Sequence, residues 1–108
     1  MTVNDLLQNG NFKEAVLCDK DREITGVYIG DLLSWVMGRA KSGDAWITIM
    51  SNVNVLAVAS LTDCACVVLS EGVTLEQEII ETAKAKDINI LYTNMSSYET
   101  AVCLNQML

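Results

Sequence analysis

Hydrophobic positions fall into short blocks separated by polar turns, and the most apolar part of the chain runs from Gly43 to Gly72. Trp46–Met50 is a compact apolar run between Gly43-Asp44 and Ser51-Asn52, which predicts a buried strand. Val53–Leu61 is apolar almost throughout. Its valines favour a strand folded back across Ser51-Asn52 as a hairpin, while its length suits a helix, and pattern alone leaves both open. A helix would take Ser51 or Asn52 as its N-cap and, being apolar nearly all round, would be buried. Cys64-Ala65-Cys66 leads into a further strand, Val67-Val68-Leu69, which ends in the turn Ser70-Glu71-Gly72.

The flanks are read in the same way. Thr2–Gln8 predicts a short helix with Thr2 as N-cap, Asp5 in the first turn and Leu6 and Leu7 inward. Asn9-Gly10-Asn11 ends it through a left-handed residue. Glu14–Cys18 and Ile24–Ile29 are strands separated by the charged loop Asp19–Glu23, and Gly26 inside the second implies a bulge or a close backbone approach. Gly30-Asp31 opens a helix with Leu32, Leu33, Val36 and Met37 on one face and Trp35 at its edge. Arg39 and Lys41 suit its negative end. Thr74-x-x-Gln77 is a capping box for a helix Leu75–Lys86, with Leu75, Ile79, Ile80 and Ala83 inside and Glu76, Gln77, Glu81 and Lys84 outside.

Asn89–Thr93 is the last strand. Ser96-x-x-Glu99 is a second capping box, for a helix to about Met107. Its apolar arc (Tyr98, Ala101, Val102, Leu104, Met107 and Leu108) exceeds one packing face, which suits either a partner surface or a terminal helix wrapped over its own core. With a helix at 53–61, strands and helices alternate from residue 46 onward. Right-handed crossovers then give parallel strands in a three-layer α/β/α arrangement with a mainly parallel sheet.

Composition narrows the function. The 108 residues fit one domain spanning 1–108, without repeats, linkers or low-complexity segments. A net charge of −7, with seven scattered basic residues, disfavours nucleic acid and an anionic membrane surface. No basic-then-apolar leader and no apolar run of about 18 residues is present, so a cytoplasmic protein is expected. The absence of histidine removes Ser–His and Cys–His nucleophiles and imidazole ligands. Four cysteines lie at 18, 64, 66 and 103. Cys64 and Cys66 on a strand would share a face, but a cluster needs about four soft ligands. Buried free thiols are the expectation, with no metal and no cofactor. There is no phosphate-binding Gly-x-x-x-x-Gly-Lys loop, and Glu71 alone is a poor acid–base group, so no catalytic residue is assigned.

The candidate ligand site is the set of strand-end turns: Ser51-Asn52, Ser70-Glu71-Gly72 and Thr93-Asn94. In an open α/β sheet these converge at the C-terminal edge of the strands, where ligands sit and helix N-termini offer N–H groups. The same residue types are the preferred helix caps. Asp21-Arg22 is either a partner contact or a surface ion pair of little energetic weight.

From Asp44 onward the chain resembles the DRTGG domain. The matching residues are Gly43-Asp44 before Trp46–Ile49, the run Asn54–Ala59, the strand Val67–Leu69 with Gly72, and Thr93-Asn94 followed by Thr100-Ala101-x-x-Leu104. The stretch Asp21–Met37 is similar to small stand-alone members, which extends the resemblance over nearly the whole chain. That domain occurs beside CBS domains in some inorganic pyrophosphatases and in long phosphotransacetylases, and its fold is similar to the N-terminal domain of HPr kinase. The resemblance implies a helix at 53–61 and a non-catalytic regulatory or interaction module, homodimeric, that meets a protein partner, a nucleotide or another small metabolite. Stand-alone relatives are often encoded near iron-only hydrogenase and histidine-kinase-like genes, which implies a redox or signalling complex. Two motif positions differ. The Asp-Arg pair after the central strand reads Met50-Ser51-Asn52 here, and Thr-Gly-Gly reads Ser70-Glu71-Gly72. The missing cation and the added Glu71 argue against an anion at those turns.

Overall fold

The computed structural model describes all 108 residues. Along the chain it forms α1 (Val3–Gln8), β1 (Lys13–Val16), β2 (Gly26–Ile29), α2 (Leu33–Arg39) and β3 (Asp44–Thr48). Then follow α3 (Asn54–Thr62), β4 (Cys66–Leu69), α4 (Gln77–Ala85), β5 (Ile90–Tyr92) and α5 (Ser97–Met107). The five strands make one sheet in the order β1-β5-β4-β3-β2. β2 to β5 are mutually parallel, and β1 runs antiparallel on β5.

Because β2, β3, β4 and β5 are laid down side by side in chain order, their crossover helices stack on one face. Val36 of α2, Val55 and Leu56 of α3 and Ala83 of α4 share a core with Trp46, Val67 and Ile90. Val3 and Leu6 of α1 and Leu104 of α5 cover the opposite face over Ala45, Ile47, Val68 and Leu91. The result is the expected three-layer α/β/α fold. β3 and β4 are buried along their whole length, which explains their unbroken apolar sequence. Trp46 is fully buried, and its indole N–H donates to the Gly30 carbonyl at 2.9 Å.

Residues 54–62 are helical, so the hairpin alternative does not occur. The helix is not buried all round, however: it is an outer layer, and Val53 and Leu61 on its far side are 53% and 71% exposed. α2 likewise buries only Val36, while Leu32 precedes the helix and Met37 faces out. The Thr74-x-x-Gln77 box does not form. The Leu75 N–H is claimed by the Tyr92 hydroxyl at 3.0 Å and the Leu75 side chain is buried, so residues 73–76 stay outside the helix, Glu76 is extended and α4 starts at Gln77. Asn9 ends α1 in an extended rather than a left-handed conformation (φ −75°, ψ 119°). Cys64 and Cys66 do not share a face. Cys64 lies before β4 against one core and Cys66 is buried in the other.

The two capping boxes at Thr2/Asp5 and Ser96/Glu99 are present as read. Gly26 marks a close approach: a Cβ there would lie 2.6 Å from Oδ1 of the buried Asp44. Asp44 is held by the Lys41 N–H, which donates to its Oδ2 at 2.8 Å.

Candidate functional site

Parallel strands bring the ends of β3, β4 and β5 to one rim, and the antiparallel β1 brings its beginning there, with Lys13 opposite Tyr92. The turn after β4 is the tightest part of this rim. Glu71 and Gly72 both have positive φ, 60° and 74°, and the Val73 N–H donates to the Ser70 carbonyl at 3.1 Å. This is the geometry of a type I′ turn. The Glu71 N–H donates to Met95 O at 2.8 Å and the Gly72 N–H to Thr93 O at 3.0 Å, so the turn is laced to the exit of β5.

Ser70 is fully buried, and its hydroxyl is hydrogen-bonded to that of Ser97 at 2.7 Å. Oε2 of Glu71 accepts from the Ser97 N–H at 2.9 Å. Ser96 and Glu99 satisfy two further donors at the start of α5. The N-terminus of α5 is therefore filled by the chain's own carboxylates. Glycine at position 71, as in the Thr-Gly-Gly pattern, would take the left-handed conformation without strain and leave the Ser97 N–H open. Glutamate here accepts the strain and supplies the cap.

Next to this turn lies a cleft of about 390 Å³, walled by Asn11, Lys13, Gly72, Thr74, Tyr92, Thr93 and Asn94 among others. Lys13 is its only cation. The Tyr92 hydroxyl accepts from Leu75 N–H and keeps its own proton to donate, and the Thr93 hydroxyl oxygen accepts from Met95 N–H at 3.2 Å. The side chains of Lys13, Thr74 and Asn94 have no hydrogen-bond partner within the chain and face solvent.

Ser51 and Asn52 do not reach this cleft. They line a shallower hollow of about 520 Å³ with Thr74, Glu76 and Glu78, and Thr74 stands between the two. Asn52 uses its side-chain carbonyl to accept the Asn54 N–H at 2.9 Å, so it starts α3 from two residues upstream. Of the strand-end residues read from the sequence, Gly72, Thr93 and Asn94 come together, Ser70 and Glu71 lie behind them, and Ser51 and Asn52 stand apart. Asn11, Lys13, Thr74 and Tyr92 were not in that reading. Nothing local in the sequence marks them, because the pairing of β1 with β5 is what carries the first two to the rim.

The sequence places Asp31 at the opening of a helix. It instead closes the end of β3: its Oδ1 accepts from the Thr48 hydroxyl at 2.8 Å and the Ile49 N–H at 3.0 Å.

At the opposite rim, Arg22 grips Asp63 with two nitrogens, at 3.0 and 3.1 Å, and donates to the Asp63 carbonyl at 3.0 Å. The Arg22 guanidinium, helped by the Ser42 hydroxyl, holds the Asp63 carboxyl below the usual carboxylate range. Asp21 is exposed, and its N–H bonds to Asp19 Oδ1. All four cysteines are free thiols, and complete burial pushes Cys66 up to about 12. No three His, Cys, Asp or Glu side chains are grouped to hold a metal ion, and no helix is long and apolar enough to cross a membrane.

Comparison with known proteins fits this architecture. No curated protein matches the sequence. The fold is similar to that in the crystal structure of the CBS and DRTGG domains of the regulatory region of Clostridium perfringens pyrophosphatase, complexed with its activator diadenosine tetraphosphate. The TM-score is 0.75 at 20% sequence identity, over 95% of this chain and 45% of that one, so the chain spans less than half of that regulatory region. Residues 13–107 match the DRTGG domain as a sequence family, and with the whole sheet inside that match the chain belongs to the DRTGG domain family.

Proposed function

We propose that the chain is a non-catalytic, homodimeric regulatory module of the cytoplasm whose rim cleft takes a small polar ligand with an anionic group. The observation that carries this reading is the cleft itself. It places one ammonium group, Lys13, beside uncommitted hydroxyl and amide side chains of Thr74 and Asn94 and the bare backbone of Gly72. Such a set recognises a ligand by charge and hydrogen bonds and offers no nucleophile paired with a base. A volume of about 390 Å³ suits a mononucleotide or something smaller. The regulatory region of the similar pyrophosphatase is complexed with a dinucleoside polyphosphate activator, which makes nucleotides the first compounds to test.

The turn Ser70-Glu71-Gly72 and the start of α5 are not part of this reading, since the Glu71 carboxylate already caps the Ser97 N–H. A phosphate would instead be met by Lys13. The test is a titration of the intact protein with nucleoside mono- and diphosphates and with inorganic phosphate, followed by amide chemical shifts. The expected result is saturable shifts at Gly72, Thr93 and Asn94 that Lys13→Ala abolishes. No shift at these amides at millimolar ligand refutes the ligand site, and a shift unaffected by Lys13→Ala places the binding elsewhere.

A further inference from the structure

The two edges of the sheet are built differently. β1 carries Lys13 and Glu14 and breaks its register between Glu14 and Val16. Charged side chains and irregularities of this kind are how edge strands avoid pairing with another chain. β2, at the other edge, reads Gly26-Val27-Tyr28-Ile29, with no charge, no proline and an unbroken register against β3. No strand lies beyond it. The Gly30 N–H points to β3, donating to Ile47 O at 3.2 Å. By the two-residue alternation of a strand, the N–H groups of Val27 and Ile29 point away from the sheet.

The surroundings of β2 are apolar at one end and charged at both. Ile29 is 49% exposed, and Leu32 and Trp35, just beyond it, are 58% and 53% exposed. Beside the beginning of the strand is a hollow of about 400 Å³, bounded by Thr25–Tyr28, by Arg39, Lys41 and Ser42, and by the buried Asp44, with the Arg39 guanidinium stacked over the Trp35 ring at 3.8 Å. Two of the seven basic residues of an acidic chain meet there. Beyond the other end of the strand stands the exposed Asp31, with one carboxylate oxygen uncommitted. Asp44 offsets one of the two basic charges from its buried position, so the exposed groups at the start of the edge are cationic and leave one net positive charge, while the finish is negative.

We propose that β2 is the edge through which two copies of this chain associate, antiparallel about a two-fold axis near Val27 and Tyr28, to make one continuous sheet. The proposal rests on the homodimer reading above and gives it a surface. An antiparallel partner is the arrangement that matches the charges. It sets the Asp31 end of each strand over the Arg39 and Lys41 end of the other, whereas a parallel partner would set like over like. The outward N–H and C=O groups of Val27 and Ile29 then find partners, and Ile29, Leu32 and Trp35 close over the joint from both faces.

The experiment is light scattering of the full chain over a concentration series, with hydrogen exchange at the amides of Val27 and Ile29. The variant is Ile29→Lys, a charge at a half-exposed edge position that leaves the core untouched. The expected result is a dimer whose Val27 and Ile29 amides are protected. In Ile29→Lys the dissociation constant rises at least tenfold and the protection is lost, while circular dichroism and Tm stay as in wild type. Lys41→Glu should weaken the dimer as well, by removing the charge match. A dimer that survives Ile29→Lys with its protection unchanged overturns this surface and leaves the homodimer reading standing. A wild-type monomer at all concentrations overturns both, and an unrelated protein occupying the edge of that monomer overturns the second copy as its occupant.

Discussion

Replacing Glu71 separates two opposing effects at one residue. Its φ of 60° is left-handed, which costs a residue with a Cβ about 1 kcal/mol. Its carboxylate caps the Ser97 N–H at 2.9 Å, a contact of the kind that contributes about 1 kcal/mol at a helix N-terminus. Glu71→Ala keeps the strain and loses the cap, so it should lower stability by about 1 kcal/mol, roughly 4 °C in Tm for a chain of this length. Glu71→Gly loses the cap and the strain together. Its greater unfolded-state entropy returns part of the gain, so it should fall between wild type and alanine, at most about 0.5 kcal/mol below wild type. Urea denaturation of the three proteins measures the order directly. Repeating it at high salt should narrow the gap between wild type and Glu71→Ala, since the carboxylate–dipole part is screened. A glycine variant no more stable than the alanine variant would show that the turn stores no strain, and an alanine variant equal to wild type would show that the cap contributes nothing.

Asn89 is 5% exposed and makes four hydrogen bonds, accepting from Cys18 N–H and Asp19 N–H and donating to Asp19 O and Ala65 O. Asn89→Ala orphans these groups and should cost about 3 kcal/mol by chemical denaturation, a larger loss than any single surface change. Asp63, held low by Arg22 first and Ser42 second, stabilises the fold fully above the ordinary carboxylate value and loses that contribution as pH falls through its depressed value. The stability gap between wild type and Arg22→Ala should therefore be present at neutral pH and close only in strong acid; a gap unchanged by acid would refute the link. Iodoacetamide at pH 8 should label the exposed Cys18 on the native protein and spare Cys66, whose thiol is pushed up to about 12 by burial, until urea opens the core. Labelling of Cys66 at the same rate as Cys18 by mass spectrometry would contradict the burial.

The features read correctly from the sequence are those set by local physics. The capping boxes at Thr2 and Ser96 need only residues three apart, and both form. The apolar runs in β3 and β4 follow from burial on both faces of a parallel sheet. Thr74-Gln77 has the same local signature and fails, because a hydroxyl from Tyr92, 17 residues further on, ties down the Leu75 N–H and the helix starts only at Gln77, with Glu76 in the N-cap position. Val53–Leu61 has too little amphipathic contrast to reveal which side faces out, and its exposed Leu61 follows from its place in an outer layer. The rim turns were visible, but their division into two hollows depends on the non-helical segment at Thr74, which borders both. Lys13 and Asn11 had no local mark, since only the return of β1 onto β5 carries them to the cleft.

That return has a temporal side. Lys13 pairs with Tyr92, so β1 is made before β2, β3 and β4 but waits for β5 before it has a neighbour. The parallel strands β2 to β4 can assemble as they emerge, but the chain's opening segment joins at the finish, and it brings the wall of the cleft with it. A nascent or clipped chain lacking β5 would therefore carry β2 to β4 without a closed rim cleft, so the walls of the cleft come together only once β5 is in place.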